Sequence, residues 1–297
     1  MLRKKCYLCP DYSQRGQHAL VSGQKDAMHT TINIRGRLID LSRPLVMGIL
    51  NVTPDSFFSA SRVESEEAVT RRASEILSQG GTIIDVGACS TRPGGDIASE
   101  DEELSRLEMA LRRIKADFPE TIVSVDTFRP QVARRAVEEW GADMVNDVTE
   151  GTFDDGSGET MFECISRMRV PYVLTSVEAT VEAMLQRFGR ETAELHAMGA
   201  KDIILDPGFG FGKTLEENYA VIAGIDTLRV LGLPLLVGIS RKSMLYRLLD
   251  TTPDNSLNAT TVANTIALTK GTSILRVHDV KEAAEAVRIY NEMNKNN

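Results

Sequence analysis

A carboxylate that is followed by a glycine-rich loop and a lysine is the feature of this sequence best suited to chemistry. Residues 206–213 read Asp-Pro-Gly-Phe-Gly-Phe-Gly-Lys and come directly after the short apolar run 203–205. Glycines in such a loop allow backbone conformations and close approaches that a Cβ atom would prevent. The spacing differs from the P-loop, which needs a glycine where this chain has Pro207, and from the G-x-G-x-x-G dinucleotide fingerprint. The segment predicts a ligand site that includes Asp206, with a structural loop and a capping aspartate as the alternative.

Polar or charged side chains also follow other short apolar runs. The run 274–275 ends at Arg276, and His278 follows two residues later. An Arg-x-His pair offers several donors to an anion, although such a pair on its own is more typical of surface ion pairs. Six polar residues lie at or just past the ends of such runs: Asn51, Asp126, Asn146, Asp206, Lys242 and Arg276. Capping of the next helix is the alternative for Asp126 and Asn146, but the recurrence favours a shared site.

Short apolar runs alternate with amphipathic segments of helical spacing over most of the chain. Eight such runs can be counted: 45–50, 82–86, 121–125, 144–145, 172–174, 203–205, 235–239 and 274–275. Capping signals that begin helices recur between them, as Ser/Thr-x-x-Glu at 99–102 and 214–217 and as the aspartate analogue at 279–282. Eight units without a linker-like break predict an α/β protein with a single (β/α)8 TIM barrel. A doubly wound open sheet is the competing architecture.

The barrel prediction gives the polar run ends a common location. In a (β/α)8 barrel, the loops that follow the strands converge on one face, and that face carries the active site. Two further loops there combine polar residues with proline: Asn-Val-Thr-Pro-Asp-Ser-Phe at 51–57 and Ser-Thr-Arg-Pro-Gly-Gly at 90–95. We therefore expect one small-molecule site at the carboxyl ends of the strands.

The N-terminal part of the chain separates into a tail and a hairpin. Residues 1–28 are polar and aperiodic, which predicts a disordered extension. Residues 30–40 alternate apolar and polar side chains around Arg35 and Gly36. This pattern predicts a β-hairpin that plugs or flanks the barrel. The predicted barrel domain spans 29–297.

Charge and hydropathy restrict the partners of the protein. The chain has 34 basic and 42 acidic residues, which gives a net charge of −8, and it has no long basic cluster. Nucleic acids and anionic membranes are therefore disfavoured as partners. No apolar run approaches the ~18–20 residues that span a bilayer. The N-terminus also lacks an apolar segment of the secretory kind, so we expect a cytoplasmic location.

Seven short motifs follow one another along the chain: MGILNVTPDSF, STRPG, SVDT, ND, DPGFGFGK, GISRKS and RVHDV. In this order they resemble the dihydropteroate synthase family of folate biosynthesis, over roughly residues 30–293. The resemblance implies a pterin-binding, Mg²⁺-dependent transferase. Such an enzyme joins 6-hydroxymethyl-7,8-dihydropterin diphosphate to p-aminobenzoate and forms 7,8-dihydropteroate and pyrophosphate. It also implies a homodimer.

The resemblance assigns the pterin to four residues near strand ends: Asp126, Asn146, Asp206 and Lys242. These residue types suit the ligand, because a pterin presents N–H donors beside a carbonyl acceptor. Carboxylates and amides accept such N–H groups, and a lysine donates to the acceptor. A site that leaves one of these groups unpaired loses about 1–3 kcal/mol, so the set discriminates between heterocycles.

The diphosphate is assigned by the resemblance to Asn51 together with Mg²⁺, and to Arg276 and His278. Mg²⁺ takes few protein ligands where phosphates also bind it, so the lack of an acidic cage is no objection. Asp55 and Arg92 match the family's loop residues that close over the diphosphate. The p-aminobenzoate pocket is assigned to Thr91, Pro93, Phe57, Phe211 and Ser243.

This chemistry needs no protein nucleophile. The resemblance implies that an arylamine attacks the pterin methylene carbon while pyrophosphate leaves, with Mg²⁺, Arg276 and His278 stabilising the departing charge. Asp206 is suited to stabilise a cationic pterin carbon. We favour a dissociative course, with direct displacement as the alternative.

Three segments depart from the family pattern. They are 58–62 in the first loop, Ala-Cys at 88–89 at the start of the second loop, and Leu-Thr-Ser-Val at 174–177 in the fifth strand. None removes a charged residue of the assigned set. Two alternative functions remain open at this point: a barrel that transfers methyl groups between a folate and a corrinoid, and a catalytically silent pterin-binding paralogue.

Overall fold

The computed structural model describes residues 31–53, 62–89, 97–154, 156 and 158–295, so the predicted extension 1–28 lies outside the described residues. The described part of the chain begins with a β-hairpin. Strands β1 (Thr31–Ile34) and β2 (Arg37–Asp40) pair antiparallel. Arg35 and Gly36 connect them with positive φ angles of 50° and 79°, as a tight hairpin turn requires. The predicted hairpin is confirmed.

Eight parallel strands form the sheet that follows. They are β3 (Leu45–Asn51), β4 (Ile83–Gly87), β5 (Ile122–Asp126), β6 (Met144–Asp147), β7 (Tyr172–Thr175), β8 (Ile203–Asp206), β9 (Leu236–Val237) and β10 (Ile274–Val277). Their order in the sheet is β8-β7-β6-β5-β4-β3-β10-β9. A parallel bridge between Leu205 and Leu235 joins the two ends of this sheet. The sheet is therefore a barrel, which confirms the predicted (β/α)8 architecture over the open sheet.

The buried face of the hairpin closes the lower end of the barrel. Ile32 and Ile34 alternate with exposed residues along β1 and are buried together with Leu41. They form one apolar cluster with the lowest inward-facing side chains of the barrel strands, which are Met47, Ile83, Met144, Val173, Ile204, Leu236 and Ile274. The backbone N–H of Asn33 also donates to Asp202 Oδ1 at 2.9 Å, next to β8. Of the two predicted placements, the hairpin takes the plugging one.

Helices surround the barrel and complete its outer apolar layer. They are α1 (Arg62–Ser78), α2 (Glu100–Asp117), α3 (Pro130–Glu138), α4 (Met161–Met168), α5 (Val181–Met198), α6 (Leu215–Gly224), α7 (Ser243–Leu248), α8 (Leu257–Thr269) and α9 (Val280–Met293). A 3₁₀ segment, Ile225–Leu231, follows α6. The main core lies between the strands and these helices. None of the described helices combines the length and apolar character that a bilayer crossing requires.

Two of the three predicted capping signals form the expected hydrogen bonds. The segments 99–102 and 214–217 are capping boxes at the N-termini of α2 and α6. The third prediction is wrong, because the Asp279 side chain makes no capping bond to α9. Its carboxylate instead accepts from Nε and Nη2 of Arg241, at 2.9 and 2.8 Å. A bidentate guanidinium–carboxylate pair is a stronger interaction than a single bond to a backbone N–H.

Candidate active site

The register of neighbouring strands aligns several polar side chains at the upper end of the barrel. Asn51 on β3 pairs with Gly87 on β4, Gly87 pairs with Asp126 on β5, and Asp126 pairs with Asn146 on β6. A Cβ atom on Gly87 would lie 3.2 Å from Asn51 Oδ1 and 3.5 Å from the Asp126 Cβ. Glycine at this position therefore leaves room for the two flanking side chains. The predicted residues of three strands form one polar layer.

Arg276 reaches this layer from the last strand. Its Nη2 donates to Asp126 Oδ2, and its Nε donates to Asp85 Oδ2 at 2.6 Å. The same Asp85 oxygen accepts from Asn146 Nδ2 at 3.2 Å. A guanidinium has five N–H donors in a rigid fork. Carboxylates accept from two of the five donors of Arg276. The structure thus brings Arg276, Asp126 and Asn146 together around a carboxylate that the sequence reasoning did not select.

Asp85 was missed because it lies within a strand and not at its end. Its side chain is completely buried, in the apolar run Ile-Ile-Asp-Val at 83–86. A buried strand residue in such a run is normally apolar, and a buried charge requires a partner. That mismatch is the signal in the sequence that would have singled out Asp85.

The glycine-rich loop after β8 holds a second group of predicted residues. Gly208 has a φ of 65° and donates its backbone N–H to Asp206 Oδ1 at 2.8 Å. A Cβ on Gly208 would collide with the carbonyl oxygen of Ser176 after β7, so this close approach requires glycine. Lys213 fastens the two loops, because its Nζ donates to the carbonyl oxygens of Ser176 at 3.2 Å and Gly208 at 2.9 Å.

Lys242 lies against the same loop from the β9 side. Its ammonium group donates to the carbonyl oxygen of Phe209 and lies 4.4 Å from the centroid of the Phe211 ring. This arrangement is a cation–π contact. Ser243 follows as the first residue of α7. The predicted residues Asp206, Lys242, Phe211 and Ser243 thus belong to adjoining loops of one barrel face.

Burial and mutual charge shift the ionisation of the site. Burial raises the pKa of Asp126 to about 7, against the opposing effect of Arg276. Burial also raises the pKa of Asp206. It lowers the pKa of Lys242 to about 8, although the charge of Asp206 opposes the shift. Burial disfavours the charge of Arg276 too, but Asp85 and Asp126 outweigh it, so the pKa of Arg276 is raised. Such shifted carboxylate and lysine pKa values are typical of functional sites.

His278 is oriented by a hydroxyl group. Its backbone N–H donates to Ser240 Oγ at 3.2 Å, and its Nδ1 lies 3.2 Å from the same oxygen. The backbone carbonyl of His278 accepts from Arg72 Nη2 at 2.8 Å. Asp279, next in the chain, binds Arg241, which precedes Lys242. The segment that carries Arg276 and His278 is therefore tied to the segment that carries Lys242.

Five of the predicted site residues lie outside the described part of the chain. They are Asp55, Phe57, Thr91, Arg92 and Pro93. Their assignments to the closing loops and to the p-aminobenzoate pocket stay predictions.

A divalent metal would find a limited set of donors in the described residues. No group of three or more His, Cys, Asp or Glu side chains suited to a metal occurs within 31–53, 62–89, 97–154, 156 and 158–295. The Asn51 carboxamide oxygen, beside the small Gly87, is an oxygen donor in the polar layer. One amide oxygen fits Mg²⁺ that takes its remaining ligands from phosphate and water, and does not fit a metal held by protein ligands alone.

Known proteins similar to this chain share its fold along nearly their whole length. The sequence pattern of the family described as "Pterin binding enzyme" matches residues 47–278. Dihydropteroate synthase of Escherichia coli strain K12 is 39% identical over 266 residues, which cover 86% of this chain and 93% of that protein. The crystal structure of 7,8-dihydropteroate synthase from Vibrio fischeri ES114 superposes with a TM-score of 0.81 at 31% identity, covering 90% of this chain and 99% of that one. The Xanthomonas albilineans dihydropteroate synthase structure with 4-aminobenzoic acid gives a TM-score of 0.79 at 31% identity, over 89% and 98% of the two chains.

Proposed function

Because this chain belongs to the pterin binding enzyme family and has the dihydropteroate synthase activity of its relatives, we propose how its barrel face binds and activates the two substrates. The activity condenses 6-hydroxymethyl-7,8-dihydropterin diphosphate with p-aminobenzoate to 7,8-dihydropteroate and pyrophosphate. It is that of a transferase of an alkyl group other than methyl. The relatives give no support to the corrinoid methyltransferase or silent-paralogue alternatives.

Asp126, Asn146 and Asp206 bind the donor edge of the pterin in this proposal. The observation that carries it is the aligned polar layer with buried acceptors. Asn146 Oδ1 is buried and has no hydrogen-bond partner among the described residues. A buried polar atom without a partner is rare in native proteins and is often completed by a ligand or water. N–H groups of the pterin are suited to this acceptor, and Lys242 donates to the pterin's acceptor atoms.

Arg276, His278 and Asn51 bind the diphosphate in this proposal. Within the described part of the chain, Asp85 and Asp126 accept two of the five N–H donors of Arg276, which leaves three for a ligand. A guanidinium with a free edge can bind phosphate oxygens bidentately. Asn51 would hold Mg²⁺, and a bound Mg²⁺ would neutralise negative charge that develops on the leaving group.

The second substrate is proposed to bind above the pterin. Phe211 offers a flat apolar surface to the aromatic ring, and the Ser243 hydroxyl offers a donor to the carboxylate. The proposal includes Phe57, Thr91 and Pro93 in this pocket. It also includes Asp55 and Arg92 in loops that close over the diphosphate and exclude water.

The bond changes follow from these positions. The methylene C–O bond breaks and its electron pair leaves with pyrophosphate, while the amine lone pair of p-aminobenzoate forms the new C–N bond and one amine proton is released. We favour a course in which C–O cleavage comes first, because the Asp206 carboxylate is suited to stabilise the cationic carbon. Trapping of a cationic pterin in the absence of p-aminobenzoate would distinguish this course from direct displacement.

Pyrophosphate release is the direct test of the activity and of the metal. We expect release from the purified chain with both substrates, loss of release in EDTA, and recovery with added Mg²⁺. Asn51→Ala should raise the Mg²⁺ concentration for half-maximal rate about tenfold, the scale of one lost polar contact. Asn33→Ala is the control, because the Asn33 side chain accepts from the backbone N–H of Gly36 in the hairpin turn, at the end of the barrel opposite the candidate site. An unchanged Mg²⁺ requirement in Asn51→Ala contradicts the proposed metal contact.

The pH dependence of kcat/KM for the pterin diphosphate is expected to be bell-shaped. Below about 7, protonation of Asp126 removes acceptor capacity for the pterin, so the rate rises as pH increases through that pKa. Above about 8, Lys242 loses its proton and can no longer donate as an ammonium group, so the rate falls. Initial rates between pH 5.5 and 9.5 would measure both limbs. Lys242→Arg, which stays charged, should lack the alkaline limb; a limb that persists in this variant belongs to another group.

We also propose that two copies associate through α8 and α9. Val262 and Ile266 on α8, and Ile289 and Met293 on α9, are between 43% and 68% exposed. Each pair is spaced i, i+4 and so forms one apolar helix face. Sedimentation velocity of the purified chain would measure its mass. The cytoplasmic location stays a prediction.

A further inference from the structure

Asp85 lies one step deeper in the barrel than the polar layer. It pairs with Ser124 in the strand register, whereas Gly87, two residues later, pairs with Asp126. The Asp85 side chain is 0% exposed and that of Asp126 is 19% exposed. Asp85 is therefore below the position at which Asp126 meets a ligand.

One oxygen of Asp85 connects the two halves of the proposed substrate site. Asp85 Oδ2 accepts from Arg276 Nε at 2.6 Å and from Asn146 Nδ2 at 3.2 Å. Arg276 is proposed to bind the diphosphate, and Asn146 is proposed to bind the pterin. These two residues lie on β10 and β6, which are not neighbours in the sheet. The carboxylate thus sets the position of one proposed contact relative to the other.

The two carboxylates that contact Arg276 are not equivalent. Asp126 faces the upper end of the barrel, so a pterin that donates N–H groups to Asp126 competes with the contact from Arg276 Nη2. Asp85 has no exposed surface, so a ligand at the upper end of the barrel does not reach it and does not compete directly with its contact to Nε. Holding a planar guanidinium at Nε limits the rotation of its remaining donors.

We propose that Asp85 is a positioning residue of this site: it retains Arg276 and Asn146 while Asp126 becomes engaged with the pterin. This inference rests on the proposed function, because it concerns the same substrate contacts. Asp85 acts through Arg276 and Asn146 and does not act on p-aminobenzoate. Its removal therefore affects the pterin diphosphate selectively.

Asp85→Asn is the first variant to test this role. It removes the charge while the shape of the side chain is preserved. We expect kcat/KM for the pterin diphosphate to fall about tenfold to a hundredfold, the scale of losing a hydrogen bond to a charged group. The KM for p-aminobenzoate should stay within about twofold of the parent value, since no proposed contact to that substrate involves Asp85. Steady-state kinetics with each substrate varied in turn would measure both effects.

A double variant of Asp85 and Arg276 distinguishes a positioning role of Asp85 from a general structural role. In the double variant with Arg276→Lys, the losses should be non-additive, because Asp85 acts through the guanidinium. Asp143→Asn is the matched control, since Asp143 is another buried carboxylate but binds Arg35 and Lys115 at the lower end of the barrel. It should change the melting temperature without changing either KM. If Asp85→Asn does not fold, Asp85→Ser, which leaves space for a water molecule, is measured against the same expectations.

Two results would overturn the inference. One is an Asp85 variant with parental kinetics for the pterin diphosphate while Arg276→Ala is inactive. The other is an Asp85 variant in which KM rises equally for both substrates and whose loss of kcat/KM is additive with the loss caused by Arg276→Lys. Failure of the proposed function looks different, because then the unsubstituted chain itself releases no pyrophosphate.

Discussion

Replacing Arg276 by alanine is expected to lower kcat/KM by at least about 100-fold, the scale of losing one donor to a transition-state charge. The variant loses the guanidinium N–H groups that are proposed to donate to the leaving pyrophosphate, while His278 remains. The variant also leaves Asp85 buried without its cationic partner, and breaking a buried pair from one side costs about 3–5 kcal/mol of folding free energy. The melting temperature must therefore be measured beside the rate of pyrophosphate release.

Arg276→Lys separates the two effects. A lysine keeps the positive charge near Asp85 but lacks the planar fork that binds phosphate oxygens in pairs. We expect this variant to recover most of the stability and little of the activity. Arg35→Ala is the control for loss of an arginine–aspartate pair, because Arg35 binds Asp143 at the opposite end of the barrel. Parental turnover in a folded Arg276→Ala protein would refute the proposed diphosphate contact.

Asp206→Asn is expected to lower kcat by about 100-fold while the protein stays folded. The amide has nearly the shape of the carboxylate, and its oxygen can still accept from the backbone N–H of Gly208, as Asp206 Oδ1 does at 2.8 Å. What is lost is the negative charge that is proposed to stabilise the cationic pterin carbon. The charge of Asp206 also raises the pKa of Lys242, so its removal should shift the alkaline limb of the pH profile to lower pH.

The residue directly before the same strand provides the control for Asp206. Asp202 lies just before β8 and accepts from the backbone N–H of Asn33 at the lower end of the barrel. Asp202→Asn should therefore leave kcat unchanged. Both variants are compared by kcat at saturating substrates and by the position of the alkaline limb. A kcat within about twofold of the parent value in Asp206→Asn would remove Asp206 from the proposed chemistry.

The strands were predictable because their signal is local. Most barrel strands are short apolar runs with a polar residue at or near their end, and Asp206 shows why that ending is informative. A parallel strand buried on both faces is mostly apolar until it reaches the upper end of the barrel, so a polar residue after an apolar run indicates that end, although Asp85 inside β4 is an exception. The hairpin was equally local, since Arg35 and Gly36 mark a turn between alternating residues.

Contacts between distant segments were not predictable in this way. Asp85 and Arg276 are 191 residues apart in sequence, and their pairing depends on the closure of the barrel. Asp279 gives a second example, because its position before α9 indicates a cap. The competing guanidinium of Arg241 approaches from a different strand end, 38 residues away. Local spacing does not reveal such competition between partners.

The hairpin beneath the barrel has a consequence for the movement of substrates. Ile32, Ile34 and Leu41 close the lower end of the barrel with apolar side chains, so a ligand approaches the polar layer from the upper end. In the proposed arrangement, where p-aminobenzoate binds above the pterin, the pterin diphosphate must therefore enter past the position of p-aminobenzoate. Dihydropteroate and pyrophosphate leave by the same route. A molecule bound at the upper end of the barrel therefore blocks both the entry of substrates and the release of products.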